Sequence, residues 1–276
     1  MSIEILAPAG SLDSIYAAVR CGANAVYVGG SRFSARANAT NFTPGELEKA
    51  VDYCHLHNVK IYQAVNTLVF DNELSDFLKA AKLSAELGID AFIVQDVAAA
   101  KMLKQALPDM KLNASTQMSI HTKEGALLAK ESGFSRVVLS RELSFKTIKD
   151  IASADIEVET FIHGALCMSV SGQCYMSAMI GSRSADRGLC AQACRLPFSA
   201  IKGQERSDLS LKDLSGIDFI PELEKAGVTS IKIEGRMKRA EYVAAAVSAC
   251  RAKADGKEPD IDTLEAVFSR SGFTDG

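Results

Sequence analysis

The chain has 276 residues, 47% apolar and 24% charged, with a formal net charge of −3. That length suits one large α/β domain with a sizeable core, and the acidic balance excludes a surface that holds nucleic acid by bulk charge alone. The opening MSIEILAPAG lacks the basic start and long apolar core of a signal peptide, and no uncharged apolar run approaches the ~20 residues that cross a bilayer. A soluble cytoplasmic protein without a membrane partner is the expectation.

The first strand is expected at Ile3–Ala7, followed by a helix from Ser11 and a second strand at Ala25–Val28. Thr43, Pro44 and Glu46 form a capping-box start for the next helix, which ends near Asn58. A third strand follows at Lys60–Val65, a long helix capped by Asp71 reaches Leu87, and the fourth strand is Ala91–Val94. The helix after Asp96 stops before Pro108. Strands then fall near Lys111, at Arg136–Leu139 and at Glu157–Ile162, with helices between them, and the eighth strand is Ser230–Ile233 before a last long helix. Four segments share a glycine just ahead of a β-branched run: Gly22–Val28, Gly88–Val94, Gly133–Leu139 and Gly227–Ile233. A glycine there ends a helix in a left-handed residue, and the run after it reads as a buried parallel strand. Eight such strands alternating with helices predict a (β/α)8 TIM-type barrel, with a doubly wound open sheet as the alternative.

One segment breaks the rhythm. Cys167, Cys174, Cys190 and Cys194 are spaced C-x6-C-x15-C-x3-C in a Gly- and Ser-rich stretch after the seventh strand. In a reducing compartment clustered thiols point to metal or redox chemistry rather than disulfides, and the spacing is compatible with zinc or an iron–sulfur cluster. Cys21, Cys54 and Cys250 lie on predicted helices and read as small buried residues. Because barrels do their chemistry at the C-terminal ends of strands, the candidate ring is Asn66, Gln95, Asp96, Ser115, Gln117, Ser140, Arg141, Glu142, His163, Glu234 and Arg236. Arg32 and Arg36, on the loop after the second strand, are placed to reach over it. Such a ring suits a small anionic molecule. Asp96 and Ser11 are equally readable as helix caps, and Arg141–Glu142 as a local ion pair. No H-E-x-x-H, G-x-S-x-G or Walker A motif is present.

Glu159, Phe161, Gly164, Cys167, Gly172, Cys174 and Ser177 in ETFIHGALCMSVSGQCYMS match the signature of the collagenase-like peptidase family of unassigned catalytic type. EILAPAGSLDS, GANAVYVGG, ARANATNF, RGLCAQACRLPF and SIKIEGRMK also resemble that family, so the resemblance covers nearly the whole chain. It implies either a peptidase or an oxygen-independent hydroxylase acting on a tRNA uridine, a ribosomal RNA cytidine or a quinone precursor. The hydroxylating members are thought to hold a 4Fe-4S cluster and to take oxygen from prephenate. Carried over, the cluster ligands are Cys167, Cys174, Cys190 and Cys194. For an RNA hydroxylase, Arg141, Arg236 or Arg36 would pair the carboxylates of prephenate, while Arg183, Arg187 and Arg195 would meet RNA phosphates. Asn66, Gln95 and Gln117 would complete the substrate wall. For a peptidase with a structural metal, Glu142, His163 and Glu234 would be the acid–base groups; a non-catalytic binding scaffold is the third reading. Residues 1–256 are expected to form the barrel with an insertion at 164–208, and 257–276 to begin a linker or further domain of a longer protein.

Overall fold

The computed structural model describes residues 2–35, 41–199, 203 and 206–276; Arg36 therefore lies outside the described residues. Eight parallel strands close into a barrel: β1 (Glu4–Pro8), β2 (Ala25–Gly29), β3 (Lys60–Val65), β4 (Ala91–Val94), β5 (Lys111–Ala114), β6 (Arg136–Val138), β7 (Glu157–Ala165) and β9 (Ser230–Ile233). Closure comes from β9, which pairs in parallel with β1 on one side and β7 on the other. The open-sheet alternative is thereby excluded. Two short strands lie outside the ring: β8 (Asp213–Ser215) runs antiparallel to the end of β7, and β10 (Phe273–Thr274) pairs with β8.

The local signals act as the sequence implies. Gly22, Gly88, Gly133 and Gly227 all have φ between +92° and +98°, a conformation that costs an L-residue its Cβ clearance. Thr43 and Glu46 form the capping box of α2 (Pro44–Leu56). Ser11 accepts the Ser14 N–H at the start of α1 (Leu12–Arg20), and Asp96 accepts the Ala99 N–H at the start of α4 (Val97–Ala106). Asp71 does not cap α3, which begins only at Leu74 and runs to Glu86; Asp71–Glu73 form a 3-10 turn instead. The reason is Glu73, whose carboxylate accepts the Phe70 N–H and fixes the turn one step earlier. β7 runs three residues beyond its expected end. A register shift between Phe161 and His163 and the pairing of His163–Ala165 with β8 carry it on.

Alternation along the strands divides the core in two. Ile5, Val26, Ile61, Phe92, Leu112, Val137, Val158 and Ile231 face the surrounding helices, which include α5 (Lys123–Glu131), α6 (Phe145–Ala152), α8 (Ile220–Lys225) and α9 (Ala240–Ala254). Leu6, Tyr27, Tyr62 and Ile93 form a second, inner cluster. The inner face also holds charge. Glu159, fully buried on β7, accepts from Arg136 of β6 at 3.1 Å and from Lys232 of β9 at 2.9 Å. Arg136 also binds Glu4 of β1 and Glu157 of β7, while Tyr62 and Ser230 donate to Glu4. Burial by itself raises the Glu4 carboxyl pKa, but the Arg136 guanidinium and the Tyr62 hydroxyl outweigh it and hold the value low.

Residues after α9 fold back onto the barrel. Leu264 of α10 (Ile261–Val267) is fully buried, Phe268 meets Tyr242 edge-on, and Phe273 meets His163 edge-on. Among the described residues no helix is long and apolar enough to cross a membrane.

Removing one member of a buried charge network leaves its partners desolvated and unpaired. Glu159→Gln is expected to cost about 3–5 kcal/mol in urea unfolding, and adding Lys232→Met should recover part of that loss. An additive double mutant would show that the Glu159–Lys232 contact is not coupled.

Candidate active site

Of the chain between β7 and β8, the described residues 166–199 reach across the C-terminal mouth of the barrel. Polar contacts fasten it there. Leu68 N–H, after β3, donates to the Asp186 carbonyl, and Arg187 donates bidentately to Glu73 at 2.7 Å and to the Leu68 carbonyl. On the opposite side Ser171 N–H and Oγ each donate to the Glu142 carboxylate at 2.9 Å. Gly172, at φ +76°, sits where a Cβ would come within 2.2 Å of the Gln117 carbonyl oxygen. Only glycine lets the two backbones approach that closely. Arg195 donates to the carbonyls of Leu166 and Leu211 and to Ser210, tying together the two ends of the segment.

The four cysteines are carried on this fastened segment as free thiols. Cys167 is exposed, and the other three are partly buried. Burial raises the Cys194 pKa most; the adjacent Arg195 opposes it, and Cys167, Cys190 and Cys174 each raise it further, so the four sulfurs share one neighbourhood. Among the described residues no three His, Cys, Asp or Glu side chains are closed to ligating geometry. The donor set itself, four soft thiols carried on one segment, suits a thiophilic centre.

Beneath the segment is a polar mouth. Arg141, following β6, donates to Glu234 of the β9 exit at 2.9 Å and lies 4.0 Å over the Phe161 ring. Arg236 is 7% exposed and donates to Ser34 at 2.7 Å, passing so close to Gly29 that a Cβ there would lie 2.0 Å from its NH1. Asn66 donates to Ser115 and accepts the Ala35 N–H. Gln95 Oε1, Gln117 Oε1, Ser140 Oγ and Arg141 Nε are buried without a hydrogen-bond partner. Among the described residues these unpartnered polar atoms follow β4, β5 and β6 and leave hydrogen-bonding capacity for a polar ligand, since each costs free energy until something bonds it.

The sequence-predicted residues thus divide. Arg141, Glu234, Arg236, Asn66, Gln95 and Gln117 gather around the mouth. Arg141–Glu142 is not a local pair: Arg141 reaches Glu234, and Glu142 is held by Ser171. Asp96 caps α4 and accepts the Val69 N–H. His163 lies in the outer layer with Tyr242 at 5.8 Å and Phe273 at 5.2 Å between ring centroids, because the β7 register shift turns it out of the barrel. Arg187 is engaged internally by Glu73 and the Leu68 carbonyl, Arg195 by the Leu166 and Leu211 carbonyls, and Arg183 by the Leu189 carbonyl. The Glu159–Arg136–Lys232 network and Ser171 were not singled out as site supports. Alternation offered one signal: Glu159 and Lys232 occupy inward positions in apolar strands.

Residues 10–276 match the family model described as peptidase family U32. The chain belongs to peptidase family U32. It is 36% identical over 264 residues to the Bacillus subtilis tRNA hydroxylation protein P1, covering 90% of this chain and 62% of that protein. It is 41% identical over 248 residues to the Escherichia coli 23S rRNA 5-hydroxycytidine C2501 synthase, covering 87% of this chain and 37% of that one. The chain thus spans less than two thirds of either relative. Among solved structures, the U32 peptidase Mk0906 superposes with a TM-score of 0.57 at 13% identity over 86% of this chain and 95% of that chain, a likeness of fold alone. The residues that carry the family resemblance fall on both halves of the site: Glu159 and Phe161 on β7, and Cys167, Gly172 and Cys174 on the segment above it.

Burial lowers the His163 pKa to about 4, with the nearby Leu214 backbone partly offsetting the shift. The unfolded chain therefore binds a proton at higher pH than the folded one, and stability falls as pH drops through the window from about 6.5 to about 4. This single group accounts for about 3 kcal/mol across that window. His163→Phe should narrow the difference between the urea-unfolding free energies at pH 4.5 and pH 7 by about 2–3 kcal/mol; an unchanged difference would assign the acid sensitivity elsewhere.

Proposed function

We propose that this chain is the catalytic barrel of an oxygen-independent RNA hydroxylase acting on a pyrimidine of tRNA or 23S rRNA. The observation that carries the reading is a segment bearing four thiols, fastened by Glu142–Ser171 and Glu73–Arg187 across a mouth that presents two arginines and unpartnered amide and hydroxyl groups. The names of the Bacillus subtilis and Escherichia coli relatives support RNA as the partner.

Cys167, Cys174, Cys190 and Cys194 would hold a 4Fe-4S cluster, with zinc as the alternative occupant. When bound, such a cluster supplies the redox or Lewis-acid activation that carbon hydroxylation without dioxygen needs. The chain's own residues do the rest. Arg141 is aimed by Glu234 and by stacking on Phe161, and Arg236 is anchored by Ser34, so the two guanidiniums are set to receive the carboxylates of a small anion, for which prephenate is the proposed oxygen donor. Gln95, Gln117 and Ser140 offer hydrogen bonds to its uncharged polar groups. Closure of the segment over the mouth limits water at the reacting atoms.

The peptidase alternative calls on Glu142, His163 and Glu234 as acid–base groups. Glu142 is engaged by Ser171, His163 faces Tyr242 and Phe273, and Glu234 binds Arg141. No two of them share a reacting position, which favours the hydroxylase reading.

Protein purified without oxygen is expected to be brown, with about four irons per chain, and Cys174→Ala should abolish the colour. A colourless protein that takes up only zinc after iron and sulfide reconstitution would sink the cluster assignment. In cells lacking the protein, nucleoside mass spectrometry should miss one hydroxylated pyrimidine. Arg141→Gln should raise the KM for the anionic co-substrate about 10–100-fold, the loss of one charge-assisted hydrogen-bonded contact.

A further inference from the structure

Ser171 is 4% exposed, and its three polar atoms are all engaged outside its own segment. Its N–H and Oγ donate to the two oxygens of Glu142, the Arg141 N–H donates back to its Oγ at 3.2 Å, and its carbonyl accepts from Ser119. Ser119 is held in the left-handed region at φ +55° and also accepts from Gln173 Nε2 at 3.1 Å. Gly172, between them, presses its backbone against Gln117. Residues 171–173 are therefore pinned at three consecutive positions to the exits of β5 and β6. Cys174 is the next residue, and Cys167 lies four residues before Ser171. The other arm of the thiol set is fixed separately, by the Ala191 N–H donating to Ser177 Oγ and by the Arg195 clamp.

From this we infer that Glu142 is a positioning residue: with Ser171 it forms a latch that presets the Cys174 arm of the thiol set and thereby governs how tightly a thiophilic metal centre is kept. The inference rests on the cysteines being a metal site, as proposed above. Glu142 has no proton to move in this role. Its two carboxylate oxygens form a two-point acceptor for one buried serine, and that geometry fixes the loop from which Cys174 projects. Four thiols joined only by a flexible segment would have to be ordered by the metal itself; a preset loop removes part of that ordering entropy from binding and slows metal loss.

The test uses the whole chain, first metal-free and reduced, with iodoacetamide alkylation followed at each cysteine by mass spectrometry. Glu142→Ala and Ser171→Ala are expected to speed Cys174 alkylation about tenfold by raising the population of the locally opened loop. Cys190 on the other arm should keep its rate, and buried Cys54 and Cys250 should stay unmodified, which reports an intact barrel. Glu142→Gln should remain within about threefold of the parent, because its Oε1 still accepts the Ser171 N–H while its Nε2 donates to Ser171 Oγ with the direction of that bond reversed. After reconstitution with iron and sulfide, or with zinc alone, both alanine variants should lose metal to a chelator about tenfold faster than the parent, and the glutamine variant much less so. Unchanged Cys174 alkylation in both alanine variants overturns the latch, as does a rise equal at Cys174 and Cys190. A parent chain that retains neither iron nor zinc overturns the metal reading itself, a different outcome that the alkylation rates separate from the first.

Discussion

The molecule depends on the way Glu159 is shared between Arg136 and Lys232. Those three side chains belong to three neighbouring strands, β7, β6 and β9, and Glu4 extends the same network to β1. The strands that close the ring are thus joined inside the barrel by charge as well as across it by backbone hydrogen bonds. Alternation of apolar residues already opposes a one-residue slip, and a guanidinium and an ammonium fitted to one carboxylate fix the register further. The register shift in β7 occurs just beyond these contacts, between Phe161 and His163. The closing strands are held rigid below that point and released above it, where the chain leaves the barrel to cover its mouth.

The same residues link support to chemistry. Phe161 lies under Lys232 as well as under Arg141, at 5.8 Å and 4.0 Å from its ring centre. One aromatic ring separates the buried network from the guanidinium offered to a ligand. Arg141 pairs with Glu234, which lies two residues beyond Lys232, just past the end of β9. The barrel therefore passes from a satisfied charged layer to an unsatisfied polar one within one or two strand residues. Full satisfaction below gives a fixed frame, and orphaned atoms above leave hydrogen-bonding capacity for something else.

The thiol-bearing segment is organised on a different principle. Among its described residues it has one short α-helix, α7 (Met176–Gly181), and two 3-10 turns, Ala185–Arg187 and Ala193–Arg195, and otherwise depends on side chains reaching carbonyls and carboxylates. Arg187 and Arg195, two arginines that suggested nucleic-acid contacts when read in line with the cysteines, serve this internal purpose. A segment with little regular structure leaves many backbone groups without partners, and arginine, with five donors, satisfies several at once. Its solvent side carries exposed Met168, Val170, Tyr175, Met179 and Ile180, so its order comes from its polar underside and not from a core of its own.

Much of this was legible from residue order. The four left-handed glycines, the capping box at Thr43 and the β-branched runs gave the strand bounds closely, because those signals act within a few residues. The cysteine spacing identified one candidate centre. What could not be read is who meets whom across the barrel. Arg141 and Glu142 are adjacent in sequence yet bind Glu234 and Ser171, and His163, counted with the mouth, is turned away by a single register shift. The helix-to-strand rhythm, the count of eight and the grouping of four thiols on one segment were determined by the sequence alone, because they follow from local sterics and residue order. Only closure of the barrel decided which charges pair, which polar atoms are orphaned and where the cysteine arm is pinned, since those are fixed by approaches between residues tens to hundreds of positions apart.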